Sequence, residues 1–297
     1  MGEKLSVSMI VKNEEVLLGK CLESVKDADE IVIVDTGSTD STGEIARKYT
    51  SKYIVGEYTW NDNFAEARNF SLSKCTGDWV LTIDADEYLE PCGIQKIREA
   101  IRKSVGFKTI SCIVRDTGGF GWHRQPRVYK RDPDVYWVGA IHNYLSIVED
   151  NNHDIVVYYD YSPAHKQDPD RALRILLKEV RKNPNCVREK FYLAREYYYR
   201  QDYITALYWY DRYLEVAYWA PEMADAWLMK AICLFNLYRG DEARLACMRA
   251  IMINTNFKEA IEFMSSITGP GNSKRWAEFA KGATNEAVLF VRERGHE

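Results

Sequence analysis

Gly77-Asp78-Trp79-Val80-Leu81-Thr82-Ile83-Asp84-Ala85-Asp86-Glu87 decides the fold class of this chain: a short apolar run ends abruptly in three carboxylates. Val80, Leu81 and Ile83 read as a buried strand, and Gly77 breaks the helix expected before it. If strand geometry persists into the acidic end, Asp84 and Asp86 project to the same side. Burying such a pair is costly unless something cationic neutralises it. A hard divalent metal at the carboxyl end of a strand is the natural candidate. The pattern D-x-D is short, and an acidic loop closing a strand would be spelled the same way, so its neighbours carry the decision.

On both sides of this stretch, residues 1–165 alternate strand and helix signals. Strands are expected at Leu5 to Val11, Glu30 to Val34, Tyr53 to Tyr58 and Trp79 to Ile83, and again near Thr109 to Arg115, Arg127 to Lys130 and Ile155 to Tyr159. Helices are expected at Glu14 to Lys26, Ser38 to Tyr49, Phe64 to Cys75 and Gly93 to Ser104. Alternating βα units imply a Rossmann-like α/β domain, a mixed and mostly parallel sheet with helices on both faces.

From residue 166 to 297 the chain reads as all-α, rich in Tyr, Ala and Leu. Ala172, Ala206 and Ala243 open similar patterns 34 and 37 residues apart, and Ala194 and Ala231 are also 37 apart. Small residues at this period suit helix pairs that cross closely, the tetratricopeptide arrangement, rather than an ordinary bundle with accidental Ala spacing. The expected array is a leading half-repeat, two whole repeats and a degenerate third starting near Asn256. Gly269-Pro270-Gly271 breaks it, and a last helix from Arg275 to Val291 caps it.

Composition narrows the function. With 46% hydrophobic and 28% charged residues over 297 positions, this is the profile of a globular protein of one or two domains. The net charge of −4 and the lack of a long Lys/Arg run disfavour a nucleic-acid partner. Seven single Cys form no C-x-x-C pair, so neither a zinc site nor a disulfide framework is indicated. No apolar run reaches transmembrane length and no signal peptide is evident, which makes a cytoplasmic protein the expectation. Met1-Gly2-Glu3-Lys4-Leu5-Ser6 matches the loose myristoylation pattern by chance before a buried strand. Asn69-Phe70-Ser71 is a glycosylation sequon by spelling only.

Four segments converge on the carboxyl edge of one sheet, where open α/β sheets bind ligands. They are Ser8-Met9-Ile10-Val11-Lys12-Asn13-Glu14-Glu15, Val34-Asp35-Thr36-Gly37-Ser38-Thr39-Asp40, Ala65-Glu66-Ala67-Arg68-Asn69 and Asp84-Ala85-Asp86. Asp35 can accept a hydrogen bond from a base or a sugar hydroxyl, Gly37 permits close backbone approach, and Arg68 supplies positive charge near phosphates. No Walker A sequence exists, and Thr117-Gly118-Gly119-Phe120-Gly121 is not a dinucleotide fingerprint.

In order and spacing, these four segments resemble the GT-A fold of family 2 glycosyltransferases, over roughly residues 5–165. A tetratricopeptide tail is found in bacterial members, including peptide S-glycosyltransferases of the sublancin type. The resemblance implies a nucleotide-sugar donor, most simply a UDP-sugar. Val11, Lys12 and Asp35 would border the nucleoside with Glu14 nearby, and Arg68 would contact the uracil or diphosphate. Asp84, with Ala85 behind it, would lie by the ribose and metal, and Asp86 would ligate a Mn²⁺ or Mg²⁺ bridging the diphosphate. The chemistry agrees, because a metal that neutralises the departing diphosphate lowers the barrier to glycosyl transfer. The family often adds a metal-binding His before the helical tail. His165, in Ser162-Pro163-Ala164-His165-Lys166, stands at that position, with a capping or packing role as the alternative.

Gly139-Ala140-Ile141-His142-Asn143 aligns with a segment often reading Gly-x-x-His-Glu, whose carboxylate is the general base of inverting transfer. Asn143 cannot accept a proton usefully. Three readings follow: His142 is the base, Asp116 reaches in, or the acceptor is itself acidic, as a Cys thiol is. Trp122-His123-Arg124-Gln125-Pro126-Arg127 is placed as an acceptor loop, with Trp122 against a sugar and Arg127 against the diphosphate, packing being the alternative for both.

The leading expectation is a metal-dependent glycosyltransferase whose helical array binds a peptide or protein acceptor, or forms a homodimer. The alternatives are transfer onto a lipid-linked or surface saccharide or onto a nucleic-acid base, and a non-catalytic nucleotide-binding scaffold.

Overall fold

The computed structural model describes residues 2–118 and 121–283, apart from the side chains of His165 and Lys166. The chain divides into two compact units, Met1–Arg171 and Ala172–Glu297, so the first unit continues past residue 165.

The first unit runs β1 (Leu5–Val11), α1 (Leu18–Val25), β2 (Glu30–Asp35), α2 (Thr42–Ala46), β3 (Lys52–Val55), α3 (Phe64–Ser73), β4 (Trp79–Thr82), β5 (Glu87–Leu89), α4 (Gly93–Lys103), β6 (Thr109–Asp116), β7 (Trp122–Lys130), β8 (Trp137–Val138), β9 (Tyr144–Leu145) and β10 (Asn152–Tyr159), closing with a 3-10 turn, Pro163–Gln167. Eight strands form one sheet in the order β3-β2-β1-β4-β7-β6-β10-β5, while β8 and β9 pair separately. β3, β2, β1 and β4 are parallel, β10 is parallel to β6, and β7 and β5 run antiparallel to their neighbours. This is the mixed, mostly parallel sheet that the alternation implied.

β1 lies between β2 and β4 and is buried on both faces: Leu5, Val7, Met9 and Val11 share one face, and the other carries the buried Ser6 and Ser8. Gly77 does more than end a helix. A Cβ there would lie 2.8 Å from Ser6 N and 2.9 Å from Lys4 O, so only glycine lets the chain enter β4 this close to β1. α3 packs on the sheet through Ala65, Ala67, Arg68 and Ser71. The Ser71 hydroxyl bonds Ser8 Oγ at 2.8 Å and Met9 O at 3.1 Å, and these small residues set the helix close above β1. Asn63 caps α3 by accepting from Glu66 N at 3.1 Å.

The acidic end departs from the strand expectation. β4 stops at Thr82, and Asp84 to Glu87 form a turn closed by Glu87 N to Asp84 O at 3.0 Å. The stretch expected as an acceptor loop is also different: Trp122 to Arg127 lies within β7 and pairs with β6. One residue more is used on β7 than on β6, because Ile110 pairs with Val128 and Ser111 with Pro126, leaving Arg127 in a bulge. Pro126 has no N–H for the ladder, so a bulge is where a proline fits in such a strand.

The second unit is helical: α5 (Arg171–Lys182), α6 (Arg188–Tyr199), α7 (Tyr203–Leu214), α8 (Ala220–Asn236), α9 (Gly240–Ile253), α10 (Lys258–Ile267) and α11 (Pro270–Lys281). The pairs α6–α7, α8–α9 and α10–α11 follow the repeat expected, with α5 leading. Ala194, Ala206, Ala231 and Ala243 have no exposed surface, as close helix crossing requires. Gly269-Pro270 starts α11 rather than ending the array, because proline suits the first turn of a helix. The part of the expected last helix beyond residue 283 lies outside the described residues.

Candidate functional site

The carboxyl edge of the sheet opens on a cavity of about 820 Å³, within the size range of small-molecule sites. Of the residues expected to contact a donor or metal, Val11, Lys12, Glu14, Arg68, Asp84, Ala85, Asp86 and Arg127 line it, and His142 and Asn143 join them. Asp35, Asp116 and Trp122 are not among the lining residues. The His165 side chain lies outside what is described.

Local chemistry explains the three that stay out. Asp35 accepts from Gly37 N at 2.8 Å and Ser38 N at 2.7 Å with one oxygen, and from the Tyr53 hydroxyl with the other. It shapes the turn after β2, and Gly37 is needed there for its φ of 117° rather than for close approach, since nothing lies within 4 Å of its Cβ position. Asp116, at the end of β6, is a hydrogen-bond partner of the Tyr159 hydroxyl, whose pKa rises to about 12 through burial and this acceptor. Trp122 is on the wrong face of β7. Alternation along the strand gives His123, Gln125 and Arg127 to the cavity, while Arg124 pairs with Asp154 at 2.7 Å.

The acidic turn is the electrostatic centre. Arg68 Nη2 reaches both oxygens of Asp84, at 2.7 and 3.0 Å, and Arg127 Nη1 is 3.9 Å from the same carboxylate. Glu87, 5% exposed, accepts Asp84 N with one oxygen at 2.9 Å and pairs with Arg127 through the other. Asp160 N holds the Asp86 carbonyl at 2.8 Å, and buried Cys21 Sγ approaches the Asp84 carbonyl at 3.3 Å. Burial pushes the Asp86 carboxyl up to about 8, and the carboxylates of Asp84, Glu87 and Glu14 push the same way. Burial also raises Glu87 against the pull of Arg127, and raises Glu14 against a 2.7 Å hydrogen bond from Ser162.

Four carboxylates thus crowd one end of the cavity. Some hydrogen-bonding capacity of the flanking guanidinium groups is also unused: Arg68 Nε and Nη1 and Arg127 Nε are buried without partners. Arg68 lies over the Trp137 ring, 5.0 Å from its centroid. Asn69 fixes that strand through both ends of its carboxamide, to Trp137 O at 2.9 Å and Trp137 N at 2.8 Å. Among the described residues no three His, Cys, Asp or Glu side chains form a metal-holding group. Two carboxylates with hard oxygens nevertheless suit Mg²⁺ or Mn²⁺, which commonly take one or two protein carboxylates and complete their shell with substrate phosphates and water.

Glu87, His123, Gln125, Trp137 and Tyr159 line the cavity without having been assigned a role from the sequence. The alternation of β7 was the available signal for His123 and Gln125; nothing local marked Trp137 or Tyr159.

Comparison with known proteins agrees with this architecture. The profile of glycosyl transferase family 2 matches residues 6–159. The chain belongs to that family, and its first unit is a glycosyltransferase domain. It is similar to a TPR repeat-containing protein of Synechococcus elongatus, 34% identical over 141 residues, covering 47% of this chain and 34% of that protein. It is also similar to the SPbeta prophage-derived glycosyltransferase SunS of Bacillus subtilis, 27% identical over 206 residues, covering 65% of this chain and 49% of SunS. The chain thus spans about a third to a half of the length of these curated relatives. Among solved structures, it is similar to S. aureus TarS 1-349 in complex with UDP, with a TM-score of 0.46 and 16% identity over 82% of this chain and 90% of that one. Among the described residues no helix is long and apolar enough to cross a membrane.

Proposed function

We propose that this glycosyltransferase uses a nucleotide-sugar donor, a UDP-sugar, with Mn²⁺ or Mg²⁺, and transfers the sugar with inversion to a side chain of a peptide or protein. The observation that carries the donor reading is the crowding of buried carboxylates around Asp86 beside guanidinium groups with unspent donors. A divalent cation relieves the first, and the oxygens of a diphosphate answer the second. Asp86 would hold the metal with Asp84 beside it, and the metal would stabilise the charge building on the leaving diphosphate. Arg68 and Arg127 would bind phosphate oxygens, as planar guanidinium groups do well. Val11, Lys12 and Glu14 would border the nucleoside, with Asp35 shaping the turn behind them.

The peptide reading is supported by the helical-repeat unit, since such arrays present extended binding surfaces, and by the similarity to SunS. Purified protein with Mn²⁺ and a panel of UDP- and GDP-sugars should release nucleoside diphosphate slowly. If no member of the panel is hydrolysed and none binds by calorimetry, the donor reading fails.

A further inference from the structure

Glycosyl transfer needs an acceptor stripped of its proton, and the position expected to supply a carboxylate base holds Asn143. Asp116 is outside the cavity, engaged with Tyr159. His142 lines the cavity but is exposed, on a backbone with φ of 48°. A second histidine lines the same cavity. His123 lies on β7 opposite Val114 of β6, another lining residue, and is half-buried on the strand face that also carries Gln125 and Arg127.

We propose, on the basis of the nucleotide-sugar reading above, that His123 is the general base that takes the proton of the acceptor, oriented by Gln125 on the same face of β7. The arrangement has the parts a positioned base needs: an imidazole in the cavity wall, a neighbouring group that fixes the ring, and a second nitrogen to receive the proton. Gln125, two residues along the same strand face, is placed to hydrogen-bond the ring. Burial, reinforced by the Arg127 charge, lowers the pKa of His123 below its ordinary value, so the ring is neutral and able to accept at pH 7. Gln125 opposes that shift and would stabilise the imidazolium once formed.

The step balances within the site. The acceptor X–H gives its proton to the free imidazole nitrogen. The lone pair left on X forms the new bond to the anomeric carbon. The bond from that carbon to the diphosphate oxygen breaks, and its electron pair leaves with the nucleoside diphosphate.

The test uses full-length protein with Mn²⁺, UDP-glucose and UDP-N-acetylglucosamine as donors, and water or azide as acceptor. Azide carries no proton to remove. His123→Ala should bind UDP as the wild type does, lose on the order of 10²–10⁴-fold in hydrolysis, and recover turnover on adding azide, with glycosyl azide as product. Gln125→Ala should lower kcat with little change in KM for the donor. Wild-type hydrolysis rates in His123→Ala, or a loss that azide does not restore in a variant that still binds UDP, would overturn the assignment. A wild-type protein that binds neither UDP nor either donor would instead overturn the donor reading on which it rests.

Discussion

Asp84 faces Arg68 at 2.7 Å and Arg127 at 3.9 Å, whereas Asp86, two residues on, is pressed by the carboxylates of Asp84, Glu87 and Glu14. The environments differ: Asp84 is balanced by guanidinium charge, and on the reading proposed above Asp86 would be the metal's oxygen donor. Glu87 belongs to neither role. One of its oxygens fixes the Asp84 backbone and the other fixes Arg127, so it orients both neighbours. Gln at this position would keep an acceptor for Asp84 N but present an amide N–H to Arg127. Glu87→Gln should therefore remain folded and lose roughly 10–100-fold in Mn²⁺-dependent UDP release, the usual scale for residues that orient metal ligands. Unchanged turnover would show that the pair is only structural. Asp84 and Asp86 stood out in the sequence at the end of an apolar run, but their short spacing needed the neighbouring segments to give it meaning. Glu87 was visible as a third carboxylate, but its role depends on Arg127, 40 residues away.

At the scale of elements, Glu30 shows how the sheet that carries the site is tied together. It opens β2, accepts from Ser6 Oγ of β1 at 2.5 Å and from Thr76 N at 2.7 Å, and pairs with Lys52 of β3. Burial alone would raise its pKa, but these partners outweigh it and hold Glu30 down at about 2. A depressed carboxylate stabilises the fold fully above its unfolded value and loses that contribution as pH falls toward the folded one. The window is thus about pH 4.5 down to 2, and the contribution is on the order of 2–3 kcal/mol. Glu30→Gln should lower stability at pH 7 and flatten its decline in that window, as read by urea denaturation at several pH values. The apolar runs of β2 and β4 were readable because both faces are buried, and β1 by its alternating apolar residues. Of β7 only the end, Arg127 to Lys130, was readable, because Pro126 signals a break and its inner face is a polar cavity wall, so the alternation of His123, Gln125 and Arg127 does not look hydrophobic. The two-residue strands β8 and β9 are too short to carry any period.

At the scale of the whole molecule, each unit has its own buried core, one built on the sheet and one on the helix pairs. Repeat spacing made the second core legible, since Ala194, Ala206, Ala231 and Ala243, four of the positions that set the period, have no exposed surface. Its buried polar content was not legible: Arg195 of α6 meets Asp225 of α8 at 2.9 Å, with both 3% exposed or less. Arg195→Met would strand the Asp225 charge and should destabilise the helical unit by about 3–5 kcal/mol. UDP binding to the first unit should persist below the lowered melting transition. Loss of both together would show that the units are not independent. The central claim, a metal-dependent nucleoside-diphosphate site at the carboxyl edge of the sheet, is tested most directly by titrating UDP into the protein with and without Mn²⁺, in the wild type and in Asp86→Asn. The account predicts tight binding only for wild type with Mn²⁺, and a loss of at least about tenfold in the variant. Equal UDP affinity in all four titrations would contradict it.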